Sequence, residues 1–340
     1  MIIRSRAPLR LGLAGGGTDV SPYSDEHGGA ILNATISLYA YTTIEPRDDG
    51  KIVLHSLDHD ELIELDSSTS LEIDGKLDLL KGVYNHVIAN FGLEPVSFTL
   101  STYVDAPPGS GLGSSSTLVV TILGAFVEWL NLPLSEYDIA QAAYNIERVE
   151  LKMAGGKQDQ YAATFGGFNF MEFYDNDKVI VNPLRIKQEY INELEHNLLL
   201  YYTSTSRLSS SIIERQTENI KKKKEGSIEA MHKLKEQAVM MKEAVLKGEL
   251  GKIGEILDFG WQHKKNLTNE VSNKDIDDLY SKALDAGSSG GKISGAGGGG
   301  FMMFYCPANN RHKVIQALNG SEGEFKPYQF TKNGLTKWRI

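Results

Sequence analysis

The chain has 340 residues, 41% hydrophobic and 23% charged, a composition typical of soluble globular proteins and unlike that of disordered or membrane-embedded chains. At that length two domains sharing one cleft are the first expectation. The formal net charge of -9, with the acids spread along the sequence, argues against DNA, RNA or another polyanion as the main partner.

Arg4, Arg6 and Arg10 interrupt the opening MIIRSRAPLRLGL before any apolar run reaches the length of a signal-peptide core. No apolar stretch reaches the roughly 18 residues of a membrane span, so no membrane partner is expected. In the same segment Leu9, Leu11 and Leu13 alternate with Arg10 and Gly12, the period of a strand that buries leucine on one face and turns Arg10 to the other. Strands are also expected at 36–44 (ISLYAYTTI) and 97–104 (SFTLSTYV), both rich in β-branched and aromatic residues. From Ser115 the apolar residues Leu118, Val119, Ile122, Leu123 and Phe126 recur at helical spacing until Asn131 and Pro133 stop the pattern. A second helix is expected from about Glu136 to Met153.

Between 185 and 290 the chain turns to Lys- and Glu-rich amphipathic segments broken at Gly226, at Gly248 to Gly251 and around Asn273, a helical layer. The run Lys221 to Lys224 reads as a solvated helix face rather than a nucleic-acid patch. Strands return at 301–305 (FMMFY) and near 325–330 and 335–340. A boundary near Pro183 divides the chain into 1–185 and 186–340. The single cysteine, Cys306, excludes an intramolecular disulfide, which suits a reducing cytoplasm, and reads as a small buried side chain.

The segment DAPPGSGLGSSST, 105–117, lies between a strand and a helix. Its glycines let main-chain N–H groups approach an anion, and the helix beginning near Ser115 adds unpaired donors and the positive end of its dipole. Pro108, Gly109, Ser110, Gly111, Leu112, Gly113, Ser114, Ser115 and Ser116 are therefore candidates to hold the phosphates of ATP. The segment lacks the G-x-x-x-x-G-K-[ST] of a P-loop, and no G-x-G-x-x-G opens a helix after a first strand as in a dehydrogenase. The plainer reading is an N-cap with a flexible turn, which would need one serine and no glycine pairing.

P-P-G-S-G-L-G-S-S-S at 107–116 resembles the ATP signature of the GHMP kinases, the family of galactokinase, homoserine kinase, mevalonate kinase and phosphomevalonate kinase. A-P-L-R at 7–10 is similar to their N-terminal motif and K-I-S-G-A-G-G-G-G at 292–300 to their C-terminal one, so the resemblance brackets nearly the whole chain. It implies an α+β fold of two domains around a cleft: an N-terminal mixed sheet like domain 2 of ribosomal protein S5, and a C-terminal ferredoxin-like domain of helices and antiparallel strands. By the same resemblance Asp159, in GGKQDQY, is the candidate general base, and Arg10 the cation beside it. Glu147 with Ser115 is the implied Mg2+ pair, both offering the hard oxygen ligands this ion prefers, although Glu150 lies on nearly the same helix face.

Galactokinase carries G-E-H-T-D where this chain has G-G-G-T-D at 15–19, a departure that leaves Gly16, Gly17, Thr18 and Asp19 facing the substrate with more room. GGGTD, GSSST and GGKQDQY together resemble the branch of heptose 7-phosphate kinases, with L-fucokinase the nearest competitor. The implied reaction is ATP-dependent phosphorylation of the anomeric hydroxyl of D-glycero-D-manno-heptose 7-phosphate. A substrate that already carries phosphate requires cations, and Lys157, Arg207 and Lys292 are available, with Gly297 and Gly298 closing over the sugar. From another class, a nucleotide- or sugar-binding protein without catalysis would keep the glycine loops and have no need of Asp159, Glu147 and Arg10 together.

Overall fold

The computed structural model describes residues 1–204, 209–222 and 226–340. In chain order the first half runs β1 (Ile3–Ala14), α1 (Tyr23–His27), β2 (Gly29–Pro46), β3 (Lys51–Ser56), β4 (Glu61–Asp66), α2 (Asp78–Phe91), β5 (Phe98–Val104), α3 (Ser114–Leu130), α4 (Glu136–Tyr144), α5 (Gln158–Phe165), β6 (Phe168–Phe173) and β7 (Val179–Pro183). The second half continues with α6 (Gln188–Asn197), β8 (Leu198–Tyr202), α7 (Ser209–Lys221), α8 (Ser227–Lys247), α9 (Ile253–Lys265), α10 (Lys274–Asp285), β9 (Gly290–Ile293), β10 (Phe301–Tyr305), α11 (Arg311–Leu318), β11 (Glu324–Phe325) and β12 (Thr336–Arg339).

The first sheet has the order β12-β1-β2-β5-β3-β4, and it is mixed because β3 and β5 run parallel. The 18-residue β2 serves two neighbours: its first part pairs with β6 and its last part with β5. The second sheet, β11-β8-β10-β9, is antiparallel throughout. β12 pairs with Ile3–Arg6 of β1, so the end of the chain returns to the first sheet.

Leu9, Leu11 and Leu13 are buried as their alternation predicts, but Arg10 on the opposite face is buried as well, because the cleft walls cover that side. The leucines belong to an apolar cluster that also takes in Leu200 and Met303 of the second sheet and Ala238 and Met241 of α8, which makes the core continuous across the two sheets. The expected helix from Glu136 ends as an α-helix at Tyr144 and continues as a π-helical turn, Asn145–Glu150, while Lys152 and Met153 lie beyond it. Cys306 is buried, which pushes its thiol up to about 12. No helix among the described residues is long and apolar enough to cross a membrane.

Candidate active site

A cleft of about 560 Å³ brings together the turn after β1, the loop before α3, the π-helical turn, the start of α5, the end of α9 and the glycine run after β9. Its loop before α3 is fixed from two sides. Arg10 N–H donates to the Leu112 carbonyl (3.1 Å) and Phe301 N–H to the Ser110 carbonyl (2.9 Å). The Leu112 side chain is wholly buried and anchors the loop in the core. At Gly111, with φ of 80°, a Cβ would fall 2.2 Å from the Ser294 carbonyl oxygen, so only glycine permits the two glycine-rich segments to meet. The C-terminal glycines thus brace the loop before α3. Pro108, Gly109, Gly111, Gly113, Ser114, Ser115 and Ser116 line the cleft, whereas Ser110 and Leu112 hold the loop from behind. No side chain caps the start of α3, whose first N–H groups are left for a ligand.

Arg10 ties three distant segments together. Its guanidinium approaches Asp159 Oδ1 at 2.7 Å from Nε and 2.6 Å from Nη2, while Nη1 donates to the Gly111 carbonyl (2.5 Å) and to Ser294 Oγ (3.3 Å). Register slips where β1 passes from Pro8–Tyr39 to Arg10–Thr35, an irregularity of the kind that re-aims a side chain toward a site. Asp159, near the start of α5, lies directly against the loop before α3: a Cβ on Gly113 would come within 3.1 Å of its Cγ. The carboxylate expected from the sequence therefore shares one pocket with the expected anion nest.

Glu147 is wholly buried in the π-helical turn, a feature that often marks functional sites. Ser115 Oγ donates to Glu147 Oε1 (3.0 Å) and Gln160 Nε2 to Oε2 (2.5 Å), with Arg148 Nη1 at 3.6 Å from Oε1. Glu150 turns away to meet His86 Nδ1 at 2.6 Å and does not line the cleft. Geometry thus separates two acids that helical spacing alone left equivalent.

The remaining expected residues divide. Gly17 and Asp19 line the cleft, and Asp19 Oδ2 accepts the Gln158 N–H (3.0 Å) while burial, reinforced by the nearby charge of Asp159, raises its carboxyl above the usual range. Thr18 instead closes the glycine turn, its hydroxyl donating to Gly15 and Ala30 carbonyls at 2.8 and 2.9 Å. Lys157 does not reach the cleft: its ammonium meets Asp177 Oδ1 at 2.7 Å, over the Tyr144 ring. Lys292 is buried against the Gly12 carbonyl (2.5 Å), and burial with two neighbouring cations drives its ammonium well below the usual lysine range. Gly298 N–H donates to the Val271 carbonyl (2.8 Å) and Gly297 packs on Val271; Gly295 and Ala296 are the members of that run that line the cleft. Gly16 lies beside Lys264, and Arg207 falls outside the described residues.

Sequence reasoning missed Lys264, Arg148, Gln160 and Ser294. Lys264, in the last turn of α9, lines the cleft, is 3% exposed and donates to the Gly295 carbonyl; burial, with repulsion from Arg10, brings its ammonium down to about 8. Within HKK it carries the signature of a solvated helix end, and no local signal distinguishes it. Ser294 lies within K-I-S-G-A-G-G-G-G, and its hydroxyl accepts from Arg10 and donates to the Gly111 carbonyl of the loop before α3.

Residues 78–167 match the model for the GHMP kinases N terminal domain and residues 241–323 that for the GHMP kinases C terminal domain. The chain is 50% identical over 338 residues, 99% of each sequence, to D-glycero-alpha-D-manno-heptose 7-phosphate kinase of Campylobacter jejuni subsp. jejuni. It is 28% identical to the bifunctional fucokinase/GDP-fucose pyrophosphorylase of Arabidopsis thaliana, over 94% of this chain and 31% of that protein. The crystal structure described as a D-glycero-D-manno-heptose 1-phosphate kinase from Bacteroides thetaiotaomicron superposes with a TM-score of 0.85 at 48% identity, covering 99% of both chains. With both domain models matched in order and the two-domain fold shared end to end, the chain belongs to the GHMP kinase family of ATP-dependent small-molecule kinases.

Proposed function

We propose that the protein transfers the γ-phosphoryl group of ATP to the anomeric hydroxyl of D-glycero-D-manno-heptose 7-phosphate, giving the 1,7-bisphosphate. The observation that carries this reading is the Arg10–Asp159 pair (2.6 Å) set against the phosphate loop, within van der Waals reach of Gly113. Half identity along the whole chain with a heptose 7-phosphate kinase supports the sugar, against 28% with the fucokinase protein.

The loop before α3 and the open N-terminus of that helix hold the triphosphate through backbone N–H groups, with Ser114 and Ser116 supplying hydroxyls. Asp159 accepts the proton of the sugar O1 as the O1–Pγ bond forms and the bond from Pγ to the bridging oxygen of ADP breaks. Arg10 fixes the Asp159 carboxylate and places fixed positive charge where the phosphoryl oxygens gather negative charge. Asp19 accepts a hydrogen bond from a ring hydroxyl.

Ser115 Oγ and the buried Glu147 carboxylate, 3.0 Å apart, form a hard-oxygen pair of the kind that suits Mg2+ alongside phosphate ligands. Mg2+ held there would supply charge neutralisation to the phosphates of ATP. Gln160 and Arg148 keep the Glu147 carboxylate oriented whether or not the ion is bound.

The test is a coupled ADP-release assay with D-glycero-D-manno-heptose 7-phosphate, the corresponding 1-phosphate, L-fucose, D-galactose and mevalonate, with product position read by 31P NMR. The heptose 7-phosphate should have the highest kcat/KM and yield a new anomeric phosphate. Preferential turnover of the heptose 1-phosphate, the sugar phosphate for which the Bacteroides kinase is named, or of fucose would replace this reading. ATP binding with no turnover of any acceptor would favour a non-catalytic binding protein.

A further inference from the structure

We propose that the Lys264 ammonium receives the phosphate group that the sugar substrate already carries, making Lys264 the residue that selects phosphorylated over unphosphorylated sugars. The inference rests on the sugar-phosphate reading above and goes beyond it by naming the receptor.

Lys264 is 3% exposed, yet its hydrogen bond goes to an uncharged partner, the Gly295 carbonyl, and among the described residues no carboxylate pairs with it directly, although the charge of Asp19 acts on it from nearby. An ammonium has three donors, so two remain. Burying a cation is destabilising unless it is well compensated; here the nearby Asp19 charge offsets burial and the repulsion of Arg10 only in part, so an anionic ligand would complete the site. Arg10 is paired with Asp159 and Lys157 with Asp177, while Lys292, which like Lys264 bonds a carbonyl, that of Gly12, does not line the cleft. Of the further cations that line the cleft, Arg148 is bonded to Ser116 Oγ and paired with Glu147 beside the ATP loop, and Lys152 is exposed.

The position fits a bulky anionic substituent. A Cβ built on Gly16 would lie 3.8 Å from Lys264 Nζ, so the ammonium borders the space that the GGG turn keeps free of side chains. Asp19, two residues beyond Gly17 and on the same cleft wall, presents a hydrogen-bond acceptor to the sugar hydroxyls. Lys264 and Asp19 thus offer a donor for phosphate and an acceptor for hydroxyl to one substrate in the cleft that also holds Asp159 and Arg10. The ammonium of a lysine suits this task, since it meets a phosphate as a compact point charge.

The test measures kcat/KM for the accepted sugar phosphate and for the same sugar without phosphate, in wild type, Lys264→Met, Lys264→Arg and Gly16→Asp. Lys264→Met should raise KM for the phosphorylated sugar by about 10–100-fold, the range of a lost charge-assisted bond. It should leave KM for ATP and for the unphosphorylated sugar unchanged. Lys264→Arg should recover part of the preference. Gly16→Asp, which neutralises the ammonium without removing it, should flatten the preference as Lys264→Met does. An equal loss for both sugars in Lys264→Met, or no loss, overturns the proposal. The two readings fail separately: if heptose 7-phosphate is a poor substrate but another sugar phosphate is preferred and Lys264→Met removes that preference, the receptor stands and the heptose falls. If heptose 7-phosphate is preferred equally by wild type and variant, the heptose stands and the receptor falls.

Discussion

Replacing Lys264 by methionine should stabilise the substrate-free protein at neutral pH. Burial lowers this ammonium from 10.5 to about 8, which corresponds to about 3 kcal/mol against folding wherever the group is protonated in both states. Methionine fills a similar volume without charge, but it leaves the Gly295 carbonyl without its donor, a loss of about 1 kcal/mol. The net gain is about 2 kcal/mol, or roughly 3 °C in Tm for a chain of this size. Between pH 8 and 10.5 the unfolded lysine still holds its proton while the folded one has released it, so wild-type stability climbs with pH through that window and the advantage of methionine shrinks. Thermal unfolding of both proteins, without ligand, at several pH values from 7 to 10 measures this. A variant less stable than wild type at pH 7, or an advantage that does not fall as pH rises, would refute the buried-cation argument.

Gln160→Leu removes the donor to Glu147 Oε2 and should raise the Mg2+ concentration for half-maximal activity by about 10–100-fold, read from a metal titration at saturating substrates. Glu150→Ala breaks only the partly exposed pair with His86, so kinetics should be unchanged and stability should shift by no more than about 0.5 kcal/mol in chemical denaturation. Gly113→Ala forces a side chain into a left-handed backbone, at about 1–2 kcal/mol, and presses on Asp159. Steady-state assays should show kcat falling by about 100-fold, the loss that a displacement on the order of 1 Å can bring.

Much of the site was legible because its chemistry is local in sequence. The glycines of 109–113 and 295–300 announced tight backbone approaches, and the structure supplies the reason for their number: Gly111 and Gly295 meet face to face, a contact neither segment reveals alone. Arg10, Asp159, Glu147 and Ser115 all line one cleft. What local patterning cannot carry is long-range pairing. The alternation in β1 signalled one buried face, yet both are buried, since the face bearing Arg10 is covered by the loop before α3 and the run after β9. Lys157 sat within the most informative motif but its ammonium is claimed by Asp177, twenty residues on, whereas Lys264 sat in an unremarkable basic helix end and proves to be buried in the cleft. The π-helical turn that separates Glu147 from Glu150 likewise depends on tertiary partners, Ser115 and Gln160 on one side and His86 on the other.

The central claim is that Asp159 takes the proton of the attacking sugar hydroxyl while a separate backbone nest grips ATP. Asp159→Asn, assayed in parallel for ATP-analogue affinity by calorimetry and for single-turnover phosphoryl transfer, tests it most directly. The account predicts transfer reduced by about 10²–10⁴-fold with ATP affinity nearly unchanged. Transfer close to the wild-type rate would contradict it.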